Sequence, residues 1–220
     1  MISAYPLLEG LVSCYPEWMP QANLYLIHGA AGDYLIDPSR PPQEIEAPER
    51  VRMIFATHGH YDHIQAIEAW RDFNPELKLY MHPLAREVLA DYFENCSSLF
   101  NAATRFDGPD IEIEETLVEL EEGLSLEALA MPGHSRDSLV YLLKQKDEYR
   151  ALFSGDVIFF ASVGRSDFKG SNPEALAQSL VRILSLPGER GFSAELPIYP
   201  GHGPATTFRH ETLYNPYCMN

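Results

Sequence analysis

Basic residues are scarce in this chain of 220 residues: 16 lysines and arginines face 32 aspartates and glutamates, a formal net charge of −16. Nucleic-acid binding draws most of its affinity from cations placed on phosphates, so this balance argues against a polyanionic partner. Cysteine is scarce too. Cys14, Cys96 and Cys218 are odd in number, far apart and outside any CxxC pair, which argues against a disulfide framework or a zinc knot and suits reduced thiols inside the cell. No apolar run approaches the length of a membrane span, so no membrane contact is expected. Met1 to Pro6 carries no basic start ahead of a long apolar stretch, so no signal peptide is expected and the cytoplasm is the expected compartment. Low-complexity tracts, linkers and short-period repeats are missing as well. With 45% apolar residues, the chain is expected to bury one core and to form a single domain over residues 1–220.

Apolar segments of β type alternate with amphipathic ones. Asn23 to Ile27 and Tyr34 to Ile36 predict a hairpin turning at Gly29 and Gly32. Val51 to Ala56 predicts a buried strand, and Ile64, Ile67 and Trp70 follow with helical spacing up to Asn74-Pro75. Leu77 to Met81 predicts a strand and Leu84 to Tyr92 a helix. Asn95 to Gly108 is irregular and suits a loop walling a site. The run Asp110 to Glu122 holds seven acidic residues, and its alternation at Ile111-Glu112-Ile113-Glu114 predicts an exposed strand with a solvated face. Leu124 to Met131, Leu139 to Leu143, Ala151 to Ser154 and Leu196 to Tyr199 predict further strands. Leu176, Leu180, Ile183 and Leu184 mark one face of a helix capped by Asn172, begun by Pro173 and ended by Pro187-Gly188.

Against this regular background stands Thr57-His58-Gly59-His60-Tyr61-Asp62-His63, directly after a predicted strand. Four metal-ligand types fall in six residues, a density that solvation or packing does not call for. Neutral imidazole and carboxylate at this spacing suit zinc, iron or manganese. Three more candidates occupy the same kind of place: His134 after Pro132-Gly133, Asp156 after Ser154-Gly155 and His202 after Pro200-Gly201. Each lies just past a predicted strand and just after a glycine, where the backbone can turn sharply and come close to an ion. If the strands form two packed sheets, these ends meet along one edge. His58, His60, Asp62, His63, His134, Asp156 and His202 are then enough for two divalent ions sharing Asp156, an arrangement suited to hydrolysis. His28, His82 and His210 are expected to be structural or exposed, and Asp33, Asp37 and Asp107 to serve turns, with Asp37 a weaker candidate for supporting the site.

With these residues in place, the chain resembles a metallo-β-lactamase-fold hydrolase of the glyoxalase II-like branch. The resemblance rests on Thr-His-Gly-His-Tyr-Asp-His at 57–63, Pro-Gly-His-Ser at 132–135, Ser-Gly-Asp at 154–156, Gly-Arg-Ser-Asp-Phe at 164–168 and Pro-Gly-His-Gly-Pro at 200–204. It implies an αββα sandwich of two mixed sheets flanked by helices. It also implies one metal at His58, His60 and His134, a second at Asp62, His63 and His202, and Asp156 as the bridge. Zinc is the expected ion, with iron and manganese as alternatives. Arg165 falls where the family has a basic substrate contact, with Lys169 beside it. The chain departs from full-length glyoxalase II in ending shortly after His202, without the basic helical extension that holds glutathione there. Asp167 stands in the neighbourhood of a tyrosine, and Ser135-Arg136-Asp137 stands where relatives read Thr-Pro-Gly, a turn that aspartate tolerates.

The expected reaction is hydrolysis of a small anionic thioester, such as a hydroxyacylglutathione, by a hydroxide bridging two metals and oriented by Asp62. A thiolate leaving group, with a pKa of roughly 8.5, needs little help from a general acid. The alternative is a persulfide dioxygenase of the same fold, which uses one iron and a similar Gly-Arg-Thr-Asp-Phe segment. A non-catalytic binding protein on the same fold would be expected to lack ligands, and none is missing here. Arg165 also has a structural role open to it, pairing with Asp167 to hold its loop.

Overall fold

The computed structural model describes residues 4–19 and 21–218. Two mixed sheets pack face to face. The first runs β1 (Tyr5–Leu7), β2 (Val12–Tyr15), β3 (Leu24–His28), β4 (Asp33–Ile36), β5 (Val51–Phe55), β6 (Leu79–Met81) and β7 (Ile111–Glu112), in that spatial order. Its first four strands pair antiparallel, and β4 to β7 pair parallel. The second contains β8 (Thr116–Glu121), β9 (Leu124–Ala130), β10 (Leu139–Gln145), β11 (Glu148–Gly155), β14 (Pro197–Pro200) and β15 (Thr206–Thr207), with β14 inserted parallel beside β11. A small hairpin, β12 (Ile158–Phe159) and β13 (Ser162–Val163), stands apart from both.

Most strands of the two sheets are buried on both faces, and the side-chain alternation shows how. In β3, Tyr25 and Ile27 face the opposite sheet, meeting Tyr141, Phe153 and Tyr199, whereas Leu24 and Leu26 face the helices of their own side. Those helices are α1 (Tyr61–Ile64), α2 (Ile67–Phe73) and α3 (Ala85–Ala90), with Trp70 fully buried among them. On the other flank, α4 (Pro173–Arg190) and α5 (Phe208–Tyr214) cover the outer face of the second sheet through Leu176, Leu180, Ile183, Leu186 and Phe208. Helices, sheet, sheet and helices make the expected αββα sandwich, held by three apolar layers. Each buried aliphatic side chain in them contributes about 1.5–3 kcal/mol over exposure.

Three local expectations are corrected. The run Ile64 to Trp70 is two short helices that break at Gln65-Ala66, where Ala66 leaves helical geometry. The long helix does not stop at Pro187-Gly188. It starts as expected, with Asn172 Oδ1 accepting the Ala175 N–H, but runs through Pro187 to Arg190 and ends on Gly191 in the left-handed region. A proline this near the C-terminus forfeits one helical hydrogen bond, and Gly191 supplies the conformation that closes the turn. Asp137 is not in the left-handed region at all. Its buried carboxyl folds inward and accepts from the Ser135 hydroxyl, and burial raises its pKa. No helix among the described residues is long and apolar enough to cross a membrane.

One end of the sandwich is stitched across the two sheets by buried hydrogen bonds. Tyr141 donates to the Ala56 carbonyl (2.7 Å), Leu139 N–H to Thr57 O (2.7 Å), Tyr25 to Pro200 O (2.7 Å) and Asn23 N–H to Gly201 O (2.8 Å). Leaving any of these buried groups unpaired would cost about 1–3 kcal/mol, so they fix the mutual position of the ends of β5 and β14.

Candidate metal centre

β9, β11 and β14 point the same way in the second sheet, so the residues that follow them share one edge. His134, Asp156 and His202 stand there, opposite the loop after β5. All seven residues singled out from the sequence come together at this edge. Donor atoms converge in three overlapping sets: His58, His60 and His134; His58, His63 and Asp156; and Asp62, His63 and His202. His134 Nε2 lies 2.9 Å from His60 Nδ1. Asp156 reaches His63 Nε2 at 3.2 Å, His134 Nε2 at 3.5 Å and His202 Nε2 at 3.7 Å. Asp62 Oδ2 lies 3.1 Å from His202 Nε2. Six of the seven are largely buried; His202 is the most open.

The outward nitrogen of four of the five rings is held by a group that fixes its tautomer. His63 Nδ1–H donates to Asp37 (2.9 Å), His134 Nδ1–H to the Arg165 carbonyl (2.7 Å) and His202 Nδ1–H to Glu17 (2.8 Å). Thr57 donates its hydroxyl proton to Asp37 (3.0 Å), so His58 Nδ1–H donates to Thr57 Oγ1 (3.1 Å). Carboxylates and carbonyls only accept, so each of these rings turns Nε2 inward. His58 Nε2, His63 Nε2 and Asp156 Oδ1 are buried without a hydrogen-bond partner. The His63–Asp156 approach is close enough for charge attraction but is not aligned as a hydrogen bond. Orphaned buried donors and acceptors of this kind are costly unless something binds them. The donor set, three or more imidazoles with carboxylate, fits divalent transition ions.

Electrostatics divide the site. Burial, reinforced by the neighbouring imidazoles, pushes His58 well below its ordinary value and His60 down to about 3. Both rings are therefore neutral, the form that binds metal. At the other end, burial opposes protonation of His63 and His202, but adjacent carboxylates outweigh it. Asp156, Asp37 and Asp62 raise His63 well above its usual range, and Asp156 and Asp62 raise His202 to about 9. The reciprocal attraction overcomes burial at Asp156 and holds its carboxylate well below normal. In metal-free protein the His202 charge stabilises the fold fully below its unfolded value near 6.5, and that stabilisation is lost as pH rises through about 9. A cation must displace this proton. Loading metal-stripped protein at pH 7 is therefore expected to release protons, with apparent affinity rising toward pH 9. An indicator-dye titration in weak buffer reads both, and uptake without proton release would contradict this arrangement.

Local structure explains why these residues arrive together. Asp37 follows β4 in the left-handed region (φ +58°) and takes the Thr57 N–H at 2.7 Å, which locks the start of the histidine loop to the neighbouring strand. Gly155 also has positive φ (+49°), and a Cβ there would stand 2.5 Å from Thr57 Oγ1. Phe168 sets its ring edge-on to His60 and His134, at 5.6 and 6.0 Å. Tyr61 stacks on Phe100 (5.5 Å), so the irregular Asn95 to Gly108 segment walls the site, with one 3-10 turn at Ser97–Phe100. Arg165 and Lys169 lie on the neighbouring loop, each already paired: Arg165 with Asp167 and Lys169 with Asp91. Glu17 escapes sequence reasoning. It lies in the β2–β3 loop, 185 residues before its partner His202, and nothing local marks it.

The fold and the clustered donors define a metal-dependent hydrolase class, and the chain belongs to the metallo-beta-lactamase superfamily, whose family model matches residues 19–202. Among relatives, it is 31% identical to the probable metallo-hydrolase YqgX of Bacillus subtilis, covering 90% of this chain and 92% of that one. It is 28% identical to the hydroxyacylglutathione hydrolase GloC of Haemophilus influenzae, covering 98% and 97%. Among solved structures it resembles TTHA1623 in a di-iron-bound form, with 31% identity, TM-score 0.73 and coverage of 90% and 95%. It also resembles BLEG-1 B3 metallo-beta-lactamase (27% identity, TM-score 0.81, coverage 95% and 100%). A further likeness is to ETHE1 from Myxococcus xanthus (25% identity, TM-score 0.63, coverage 98% and 83%).

Proposed function

We propose that the chain is a dinuclear hydrolase of the glyoxalase II-like branch that cleaves small anionic thioesters of the hydroxyacylglutathione type in the cytoplasm. The observation that carries this is the overlap of the donor sets: His58 is shared by the first two and His63 by the last two, while Asp156, in the middle set, also reaches His134 and His202. Support comes from GloC, similar over nearly its full length, and from the di-iron form of TTHA1623. His58, His60 and His134 would hold one ion, Asp62, His63 and His202 the other, and Asp156 both; zinc is the proposed pair. When bound, the ions supply an activated water and Lewis-acid polarisation of the acyl carbonyl.

The chain's own residues do the rest. Asp62, beside His202 at that end of the cluster, would accept a hydrogen bond from the attacking water through an oxygen left free and orient it toward the carbonyl. Asp37, Thr57, Glu17 and the Arg165 carbonyl keep the rings in register, so little reorganisation is needed during reaction. Phe168 covers His60 and His134 and keeps bulk water from that side. Arg165, exposed at the rim, attracts the carboxylate of the substrate's thiol portion. The departing thiolate is stable near neutral pH and leaves without a dedicated acid.

A second reading is favoured by one observation. The segment Gly164 to Phe168 resembles that of the persulfide dioxygenases, and ETHE1 shares the fold. Metal content and turnover separate the two. Two ions per chain, with hydrolysis of S-lactoylglutathione, support the hydrolase. One iron per chain, with oxygen uptake on glutathione persulfide and no thioester cleavage, would replace it. A β-lactam belongs in the same substrate panel, because BLEG-1 carries that activity in its name.

A further inference from the structure

We propose that Asp167 is a specificity-determining residue: its carboxylate occupies one edge of the Arg165 guanidinium and competes there with carboxylate-bearing thioesters. This deepens the hydrolase reading and rests on it for the identity of the substrate. The loop Gly164 to Phe168 passes directly over the metal centre. Its Arg165 carbonyl accepts from His134 Nδ1–H, and Phe168 covers His60 and His134. The Arg165 guanidinium lies over the Phe168 ring at 4.3 Å, so the rim of the site is layered as imidazole, aromatic ring and cation. Asp167 then grips that cation side-on. Oδ1 accepts from Nε–H at 2.9 Å and Oδ2 from Nη2–H at 2.8 Å.

A guanidinium has five N–H donors on two usable edges. Asp167 takes the Nε/Nη2 edge and leaves Nη1 and the second Nη2 proton for an incoming carboxylate. That carboxylate would sit beside Asp167 and be repelled by it. Lys169, next along the loop, is paired with Asp91 in the same manner, so it offers no relief. In a chain of net charge −16 the rim therefore carries little free positive charge. Both partners of the Arg165–Asp167 pair are two-thirds exposed (66% each), and exposed pairs are weak. Competition of this strength tunes affinity for anionic thioesters without forbidding them.

The test compares wild type with Asp167→Asn, which keeps shape and removes charge. The ratio of KM for S-lactoylglutathione to KM for uncharged S-lactoyl-N-acetylcysteamine is expected to fall about two- to fivefold, the range open to an exposed pair, with kcat little changed. Calorimetry with S-methylglutathione, which carries the same carboxylates but no thioester, should show tighter binding by a similar factor, shrinking as salt is added. Arg165→Ala should raise KM for the anionic thioester and cancel the effect of Asp167→Asn in the double variant. If Asp167 only holds its loop, KM for the anionic thioester rises instead. Equal or weaker S-methylglutathione binding by Asp167→Asn overturns the inference. Tighter binding together with no turnover of any thioester supports competition at Arg165 and overturns the hydrolase reading.

Discussion

Asp156→Ala is expected to abolish binding of both metal ions and to lower turnover roughly a thousandfold or more, beyond the about 10–100-fold typical of losing a supporting residue. The reason is position. One carboxylate stands 3.2 Å from His63, 3.5 Å from His134 and 3.7 Å from His202, so it reaches both ends of the cluster. It is also the largest of the charges that raise His63 and His202 in the metal-free state, where the neighbouring carboxylates together outweigh burial. Without it Asp37 still faces His63 and Asp62 still faces His202, so neither ring is left as an uncompensated buried charge, which limits the loss of folding stability. The variant should therefore fold, with near-native circular dichroism, while metal analysis finds neither ion. Asp156→Asn tests packing separately: it retains the shape and should lose metal all the same. Two ions per chain or near-wild-type turnover in either variant would refute the shared-ligand arrangement.

The seven clustered residues were legible because ligand type, spacing and strand ends all coincide in sequence. His58 to His63 is dense enough to stand out alone, and His134, Asp156 and His202 repeat one pattern, each after a strand and a glycine. The strands themselves read well where burial on both faces gives unbroken apolar runs, as in the first four residues of β3 and the first five of β10. What sequence did not show is what acts over distance or against local preference. The grip of Glu17 on His202 spans 185 residues. Strands β1, β2 and β15 and the small β12–β13 hairpin are too short or too mixed in character to signal themselves. Pro187 reads as a helix stop, yet packing of Ile183 and Leu186 against the second sheet carries the helix past it. Asp137 invites a left-handed turn on its own propensity. Its carboxyl is instead drawn into the interior toward Ser135, and propensity yields to tertiary contact. Arg165 shows a different limit: its sequence neighbourhood leaves both a substrate contact and a pairing with Asp167 open, and the structure shows the pair formed, with Asp167 on the Nε and Nη2 side of the guanidinium.

Gly201→Ala is expected to be nearly as damaging as loss of a ligand, although glycine itself binds nothing. Its backbone is pinned from both sides: Gly201 N–H donates to Gly155 O at 2.9 Å, and its carbonyl accepts from Asn23 N–H at 2.8 Å. A Cβ added there would stand 2.3 Å from Asp156 Oδ1 and 2.5 Å from His63 Cε1, far inside contact distance. Since the backbone is held, the donors must move, and both belong to the middle set that joins the halves of the cluster. A displacement of about 1 Å at reacting groups costs about 100-fold in rate, while overpacking of this kind costs about 1–3 kcal/mol in stability. Turnover and metal affinity should thus fall far more than the melting temperature suggests. Gly188→Ala is the matched control. It lies within α4, a Cβ there meets nothing within 4 Å, and alanine in a helix is favoured over glycine by about 1 kcal/mol. That variant should melt slightly higher with unchanged metal content. If Gly201→Ala instead binds two ions with wild-type affinity, Asp156 and His63 have room to move that the pinned backbone does not provide, and the close approach at Gly201 is not what holds the centre together.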